Sequence, residues 1–234
     1  MATYFHIPHV DKDQAKALGA RWSPEHELWY APSDPVKQRL AERWPEALPP
    51  TPLEEFPGED RAFGDEHARL AVDMVPSTCR GTNARSSVSA EDWKRISLGV
   101  KRRAHRHCEA CRCPADPPKR VFLEVHERYD YVDGVQVLRR LVCLCSRCQL
   151  ATELGRAIVE GLELEARDHL MAINGWTPIE LETHLRAAYA RWSTRSRQQW
   201  ALDLSILTHA GIAIHQPSQE ERRRHGVDLT TLRT

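Results

Sequence analysis

The sequence predicts an α+β fold: a small mixed domain, a linker, a compact module of two strands and a helix, and a mainly helical extension. Three observations carry that expectation. Residues 1–45 alternate strand-like and helix-like segments and end in a Pro-rich, acidic break. Two Cys-x-x-Cys pairs, Cys108/Cys111 and Cys145/Cys148, flank a stretch of period-two alternation with an Asp-Gly turn. From residue 161 to 215, apolar residues recur at helical spacing between capping signals.

The first unit reads β-α-β-β. Tyr4–Ile7 suits a short strand, and Asp11 is placed to N-cap a helix that ends near Gly19. Ala20–Trp22 and Leu28–Tyr30 flank the polar, Pro-containing turn Ser23–Glu27, which predicts a hairpin packed on that helix. The Trp pair of this unit is expected to form its core, with stacking on nucleic-acid bases as the alternative. Pro49-Pro50-Thr51-Pro52 and the acids around it predict an unpacked linker and short helix over 46–75.

The module spans 76–160. Its opening loop, Pro76–Ser87, fits either a backbone-hugging segment or a plain connector. Ser89-Ala90-Glu91-Asp92 resembles a capping box, and Trp93, Ile96 and Val100 follow at helical spacing, so a helix leads into the first Cys pair. Val121–His126 alternates like a strand, Asp133-Gly134 reads as a tight hairpin turn, and Val135–Leu144 returns. In 161–215 one helix ends at Asn174-Gly175, and Thr177-Pro178 restarts a longer one as N-cap and first helical residue. Trp176, Trp192, Trp200 and Leu204 are expected in the core that covers the module, and 216–234 reads as a polar tail.

Seven cysteines in 234 residues, odd in number and mostly in tight pairs, indicate a metal site in a reducing compartment rather than a disulfide framework. Four thiolates from two such turns suit a closed tetrahedral zinc site, with Cys108, Cys111, Cys145 and Cys148 as ligands. Cys113 and Cys143 lie close by, so Cys111/Cys113 and Cys143/Cys145 remain alternative pairs. A closed site leaves no position for chemistry, and the zinc is expected to be structural. No Gly-x-Ser-x-Gly elbow and no phosphate-cradling Gly loop are present, which argues against a serine hydrolase and a P-loop enzyme. No apolar run approaches the roughly 20 residues of a membrane span, and the expectation is a cytoplasmic protein with no membrane partner.

Formal net charge is +0, but the charges segregate. Residues 1–75 carry 8 Lys+Arg against 14 Asp+Glu, residues 76–158 carry 16 against 9, and the remainder 9 against 10. The basic excess sits on the Cys region and includes Arg102, Arg103 and Arg106, with Arg139 and Arg140 on the returning strand. Such a local field attracts phosphate backbones, so nucleic acid is the expected partner and these five arginines the expected contacts.

Two resemblances add to this reading. Lys16-Ala17-Leu18-Gly19-Ala20-Arg21-Trp22 followed by Trp29-Tyr30 makes residues 3–45 similar to a small domain of unknown function found beside mobile-element and DNA-processing proteins. That resemblance implies an accessory module, and a protein partner could dock through it. Val125-His126-Glu127-Arg128-Tyr129 and Leu141-Val142-Cys143-Leu144-Cys145-Ser146-Arg147-Cys148 make residues 77–158 resemble the HNH endonucleases. The HNH resemblance implies a ββα fold in which His126, at the end of the first strand, is the general base that deprotonates water. It also implies a catalytic Mg²⁺ or Mn²⁺, for which Glu153 is the matching ligand position, and double-stranded DNA as substrate. The position before the histidine is Val125, and the two helix positions that carry histidines in the family are Gln149 and Glu153.

Two function classes follow. One is an HNH-like, metal-dependent endonuclease; the other is a degenerate HNH scaffold that persists as a zinc-stabilised nucleic-acid-binding or adaptor protein.

Overall fold

The computed structural model describes residues 2–64 and 68–216 of the chain. The architecture is α+β, with two small sheets and a helical carboxy-terminal half. The expected tail lies outside the described residues apart from its first position.

The first sheet contains β1 (Thr3–Phe5), β2 (Arg21–Ser23), β3 (Leu28–Ala31) and β4 (Glu46–Ala47), in the antiparallel order β2-β3-β1-β4. Helix α1 (Lys12–Ala17) precedes the hairpin and stops where Gly19 takes φ +97°, a conformation that costs a residue without Cβ little. Sequence reading missed α2 (Asp34–Ala41), which carries Pro35 near its start and buries Val36 and Leu40, and it missed β4. Trp29 is buried as expected, whereas Trp22 meets it edge-on and remains 47 % exposed.

The expected linker is a packed strap. Within its described residues no helix forms, yet Phe56, Leu70 and Val72 are buried. The strap crosses α3 (Ala90–Arg103) at Gly99, where a Cβ would lie 1.7 Å from the Leu53 carbonyl oxygen. Leu53 N–H donates to the Arg95 carbonyl at 3.0 Å beside that crossing. Glu59 of the strap then forms a two-pronged ion pair with Arg103, at 2.5 and 2.6 Å, with both side chains more than nine-tenths buried.

The second sheet is the long hairpin of β5 (Leu123–Val132) and β6 (Val135–Cys145), extended by β7 (Ala201–Asp203) in parallel to β6. Asp133 and Gly134 both take positive φ, +49° and +78°, the two left-handed residues that a tight hairpin turn matching strand twist requires. Both strands run longer than their sequence pattern suggests. His126 consequently lies in the middle of β5, opposite Val142, and not at a strand end. The strand order β5-β6-β7 leaves β5 at the edge.

Apolar side chains of the two hairpin faces enter different cores. One gathers Val142 and Leu144 with α4 (Ser146–Thr152), α5 (Leu154–Val159), α6 (Glu163–Asn174) and α7 (Pro178–Arg195). The other gathers Tyr129, Leu138 and Leu141 with Phe56, α3 and α8 (Ser205–Thr208). Caps read from sequence are present: Ser89 Oγ accepts from Asp92 N–H, Gly175 closes α6 at φ +68°, and Thr177 and Glu180 form a reciprocal capping box on α7. No helix among the described residues is long and apolar enough to cross a membrane.

Candidate functional site

The sulfurs of Cys108, Cys111, Cys145 and Cys148 all lie within 4.8 Å of one another. Four thiolates bound to zinc at about 2.3 Å sit about 3.8 Å apart at tetrahedral corners. The Cys111 and Cys145 sulfurs are 3.6 Å apart, close to that separation. Each knuckle also turns a backbone N–H onto a sulfur, Cys111 N–H to Cys108 and Cys148 N–H to Cys145, both at 3.5 Å. These donors favour thiolates. His169 Nε2 lies 3.1 Å from the Cys148 sulfur, a contact that orients this ligand and was invisible in the spacing. The four residues therefore fit a structural metal such as zinc. Cys143 packs into the core of Tyr129, Leu138 and Leu141, where burial pushes its thiol up to about 12, and its sulfur is outside the converging set, so the Cys143/Cys145 alternative falls away. Cys113 stays beside the cluster, 3.1 Å from the Cys111 sulfur, without joining the converging set.

A second cluster surrounds His126. Its Nδ1 lies 3.5 Å from Glu153 Oε1, at the turn between α4 and α5. Glu153 also accepts from Gln149 Nε2 at 3.2 Å and pairs with Arg156 at 3.3 Å. His126 Nε2 is buried and has no hydrogen-bond partner among the described residues. Both residues line a cavity of about 180 Å³ that Asp73, Arg80, Glu127, Arg156 and Trp192 also wall. Because β5 is an edge strand, the cavity draws on residues of both strand faces.

The electrostatics of this cavity are strongly coupled. Burial by itself pushes His126 down, but the bond to Glu153 and the charges of Glu153, Asp73 and Glu127 outweigh it and hold the imidazole above its ordinary value. Burial pushes Glu153 up; His126 and Arg156 outweigh that and hold it below the usual carboxylate range. Burial raises Glu127, whose Oε1 accepts from Arg85 N–H at 2.9 Å. Neighbouring Tyr129 accepts from Ala84 N–H at 2.8 Å, so the loop 76–88 hugs the strand and is more than a connector.

The five arginines expected on nucleic acid separate in the structure. Arg103 and Arg140 are corrected: their side chains are only 7 % and 5 % exposed, pairing with Glu59 and with Glu109 at 2.8 Å. A buried guanidinium held by a carboxylate is part of the core. Arg102 and Arg139 stay on the surface, 3.3 Å from Glu54 and 3.4 Å from Asp130. Arg106, in the turn after α3, donates to the Pro24 carbonyl at 2.8 Å, and Lys101 of α3 meets Glu27 at 2.7 Å. The basic run thus meets the strap through Arg102 and Arg103 and the small domain through Lys101 and Arg106. Trp192, expected in the core, walls the cavity instead, its Nε1 donating to the Val75 carbonyl at 3.1 Å. Asp73, Arg80 and Arg156 were missed because nothing in their local sequence marks them.

Residues 2–46 match a family described as a domain of unknown function, DUF5710. No curated protein and no solved structure matches the chain. The HNH resemblance of 77–158 accordingly rests on its own residues.

Proposed function

We propose that this chain is a zinc-braced, HNH-like protein that hydrolyses phosphodiester bonds of nucleic acid, with His126 as general base. The observation that carries the reading is the His126–Glu153 pair on a cavity wall, with Nε2 of the imidazole left without a partner among the described residues. Glu153 fixes the ring through Nδ1, and the neutral ring takes a proton from water at Nε2. The water oxygen forms a bond to phosphorus as the bond to the leaving oxygen breaks. Arg80 and Arg156, in the same cavity, offset charge on the phosphoryl oxygens. The cysteine cluster holds the loop after α3, the end of β6 and α4 together and takes no part in the step.

The divalent ion that the HNH resemblance implies does not fit the cavity as it stands. Among the described residues only the four cysteines bring three or more metal-binding atoms together, and Glu153 is already shared by His126, Gln149 and Arg156. This observation favours a second reading, a scaffold that binds nucleic acid or a protein without cutting it. The residues 2–46 domain is an accessory module in either case.

The test is nicking of supercoiled plasmid by the full chain, with Mg²⁺, with Mn²⁺ or with neither, beside His126→Ala. Nicking that His126→Ala lowers about 10²- to 10⁴-fold, the usual contribution of a positioned base, supports the nuclease. Absence of nicking by folded, zinc-loaded protein leaves the binding scaffold.

A further inference from the structure

The cavity at His126 is the first of three that share wall residues in succession. A middle cavity of about 150 Å³ shares Asp73, Met74, Tyr129 and Trp192 with it, and an outer one of about 430 Å³ shares Arg191 and Arg195 with the middle one. Together they run from His126 along α7 to Tyr131 and Trp200.

The walls change character along this path. Asp73, Glu127 and Glu153 are at the His126 end, whereas Asp73 is the only acid among the described residues of the middle and outer walls. Arg191 and Arg195, one helical turn apart on α7, belong to both of those walls, and among the described residues neither is ion-paired with a carboxylate. Arg195 lies over the Tyr131 ring at 4.3 Å, Trp200 meets the same ring edge-on at 5.1 Å, and Trp200 Nε1 donates to the Arg195 carbonyl at 2.8 Å. The aromatic planes are therefore held in place by contacts within the wall. Guanidiniums without a carboxylate partner among the described residues, set beside fixed aromatic rings, match the needs of a single strand, which offers phosphates to the former and unstacked bases to the latter. A duplex keeps its bases stacked and offers those rings nothing.

We infer that the groove walled by Arg191, Arg195, Tyr131 and Trp200 is a binding site for single-stranded nucleic acid that leads to His126. The inference deepens the reading of the His126 cavity by naming its substrate class, and it moves the binding face away from the basic run of α3. The groove binds DNA and RNA strands by the same chemistry.

The experiment is fluorescence anisotropy of labelled oligo-dT, oligo-U and a duplex of equal length, against the zinc-loaded full chain without added divalent ion and over a salt series. Both single strands are expected to bind more tightly than the duplex. R191Q/R195Q is expected to weaken single-strand binding about tenfold or more and to lower the salt slope by about 1.4, two contacts at about 0.7 each. Trp200→Ala weakens it at high salt as well, and Lys119→Gln, a control that removes one exposed charge far in sequence from α7, leaves it unchanged. Preferred binding of the duplex, no binding of either strand, or wild-type affinity in R191Q/R195Q overturns the groove. Plasmid nicking that survives with wild-type oligonucleotide affinity in R191Q/R195Q removes the groove and leaves His126 as base. Groove-dependent binding without cleavage of either labelled single strand removes the base and leaves the groove.

Discussion

The cysteine cluster and the His126 cavity occupy the same hairpin, yet they are closed by opposite means. Cys108, Cys111, Cys145 and Cys148 come from two turns that each deliver two sulfurs a few residues apart, so local geometry does most of the assembly. The cavity takes Asp73 from the strap, Arg80 from a loop, His126 from β5, Glu153 from a turn and Trp192 from α7. A site of the first kind needs a metal to hold its thiolates together. A site of the second kind needs the whole fold, and its ionisable groups tune one another instead.

The largest expected effect breaks the first half of this contrast. Cys148→Ser should lower bound zinc from about one equivalent and abolish cooperative melting, because structural zinc contributes about 10–16 kcal/mol, more than a typical domain's net stability. Metal analysis with circular dichroism checks it; a cooperative melt at unchanged temperature would mean the cluster is packed thiols alone. Next comes the strap that supports the second half. Glu59→Gln leaves the Arg103 guanidinium without its carboxylate in the core, and urea denaturation should show a loss of about 3–5 kcal/mol.

A pH series sharpens the cavity's side of the comparison. His126 is raised, so its contribution to stability is present below its unfolded value and is lost as pH rises through the higher folded value. Glu153 is lowered, so its contribution is present above its unfolded value and is lost as pH falls through the lower folded one. The pair thus stabilises most between those limits. A base must be neutral, so nicking should increase as pH rises through the His126 transition, and Glu153→Gln should move that midpoint to lower pH. A midpoint that stays put in Glu153→Gln would remove Glu153 as the partner that sets it. The smallest effect belongs to the contact between domains. Glu27→Gln weakens a partly buried pair with Lys101 and should cost about 1 kcal/mol by thermal melting, with the module's zinc content unchanged.

What was legible in the sequence follows the same division. Cys-x-x-Cys spacing, Asp133-Gly134, Ser89 and Thr177 act over a few residues, and each occupies the role its local pattern indicates. The basic run misled because net charge per segment ignores which side of a helix faces inward. Arg102 and Arg103 are adjacent, yet one meets Glu54 in solvent and the other Glu59 in the core. Their partners lie 44 or more residues upstream, where Pro and acids read as an unpacked linker. Trp192 kept its helical register, but register says only that a side chain faces the module; it does not distinguish a filled core from a cavity wall. His126 sits 27 residues before Glu153, and that pairing became visible only with the turn between α4 and α5.

The parallel pairing of β7 with β6 joins Val135 to Ala201 and Val137 to Asp203. In terms of assembly order, the antiparallel hairpin can close over a two-residue turn, and the cysteines can capture their metal, before β7 exists as a strand. The third strand reaches β6 only after the four intervening helices α4 to α7, and such long-range closures come late because entropy is lost before contacts are made. The end of α7 that carries Arg195, next to β7, is then expected to settle late and to open early. Native-state hydrogen exchange should find the amides of α7 opening at lower cost than those of β6. Access to His126 is in this sense governed by how firmly the far end of the chain is docked.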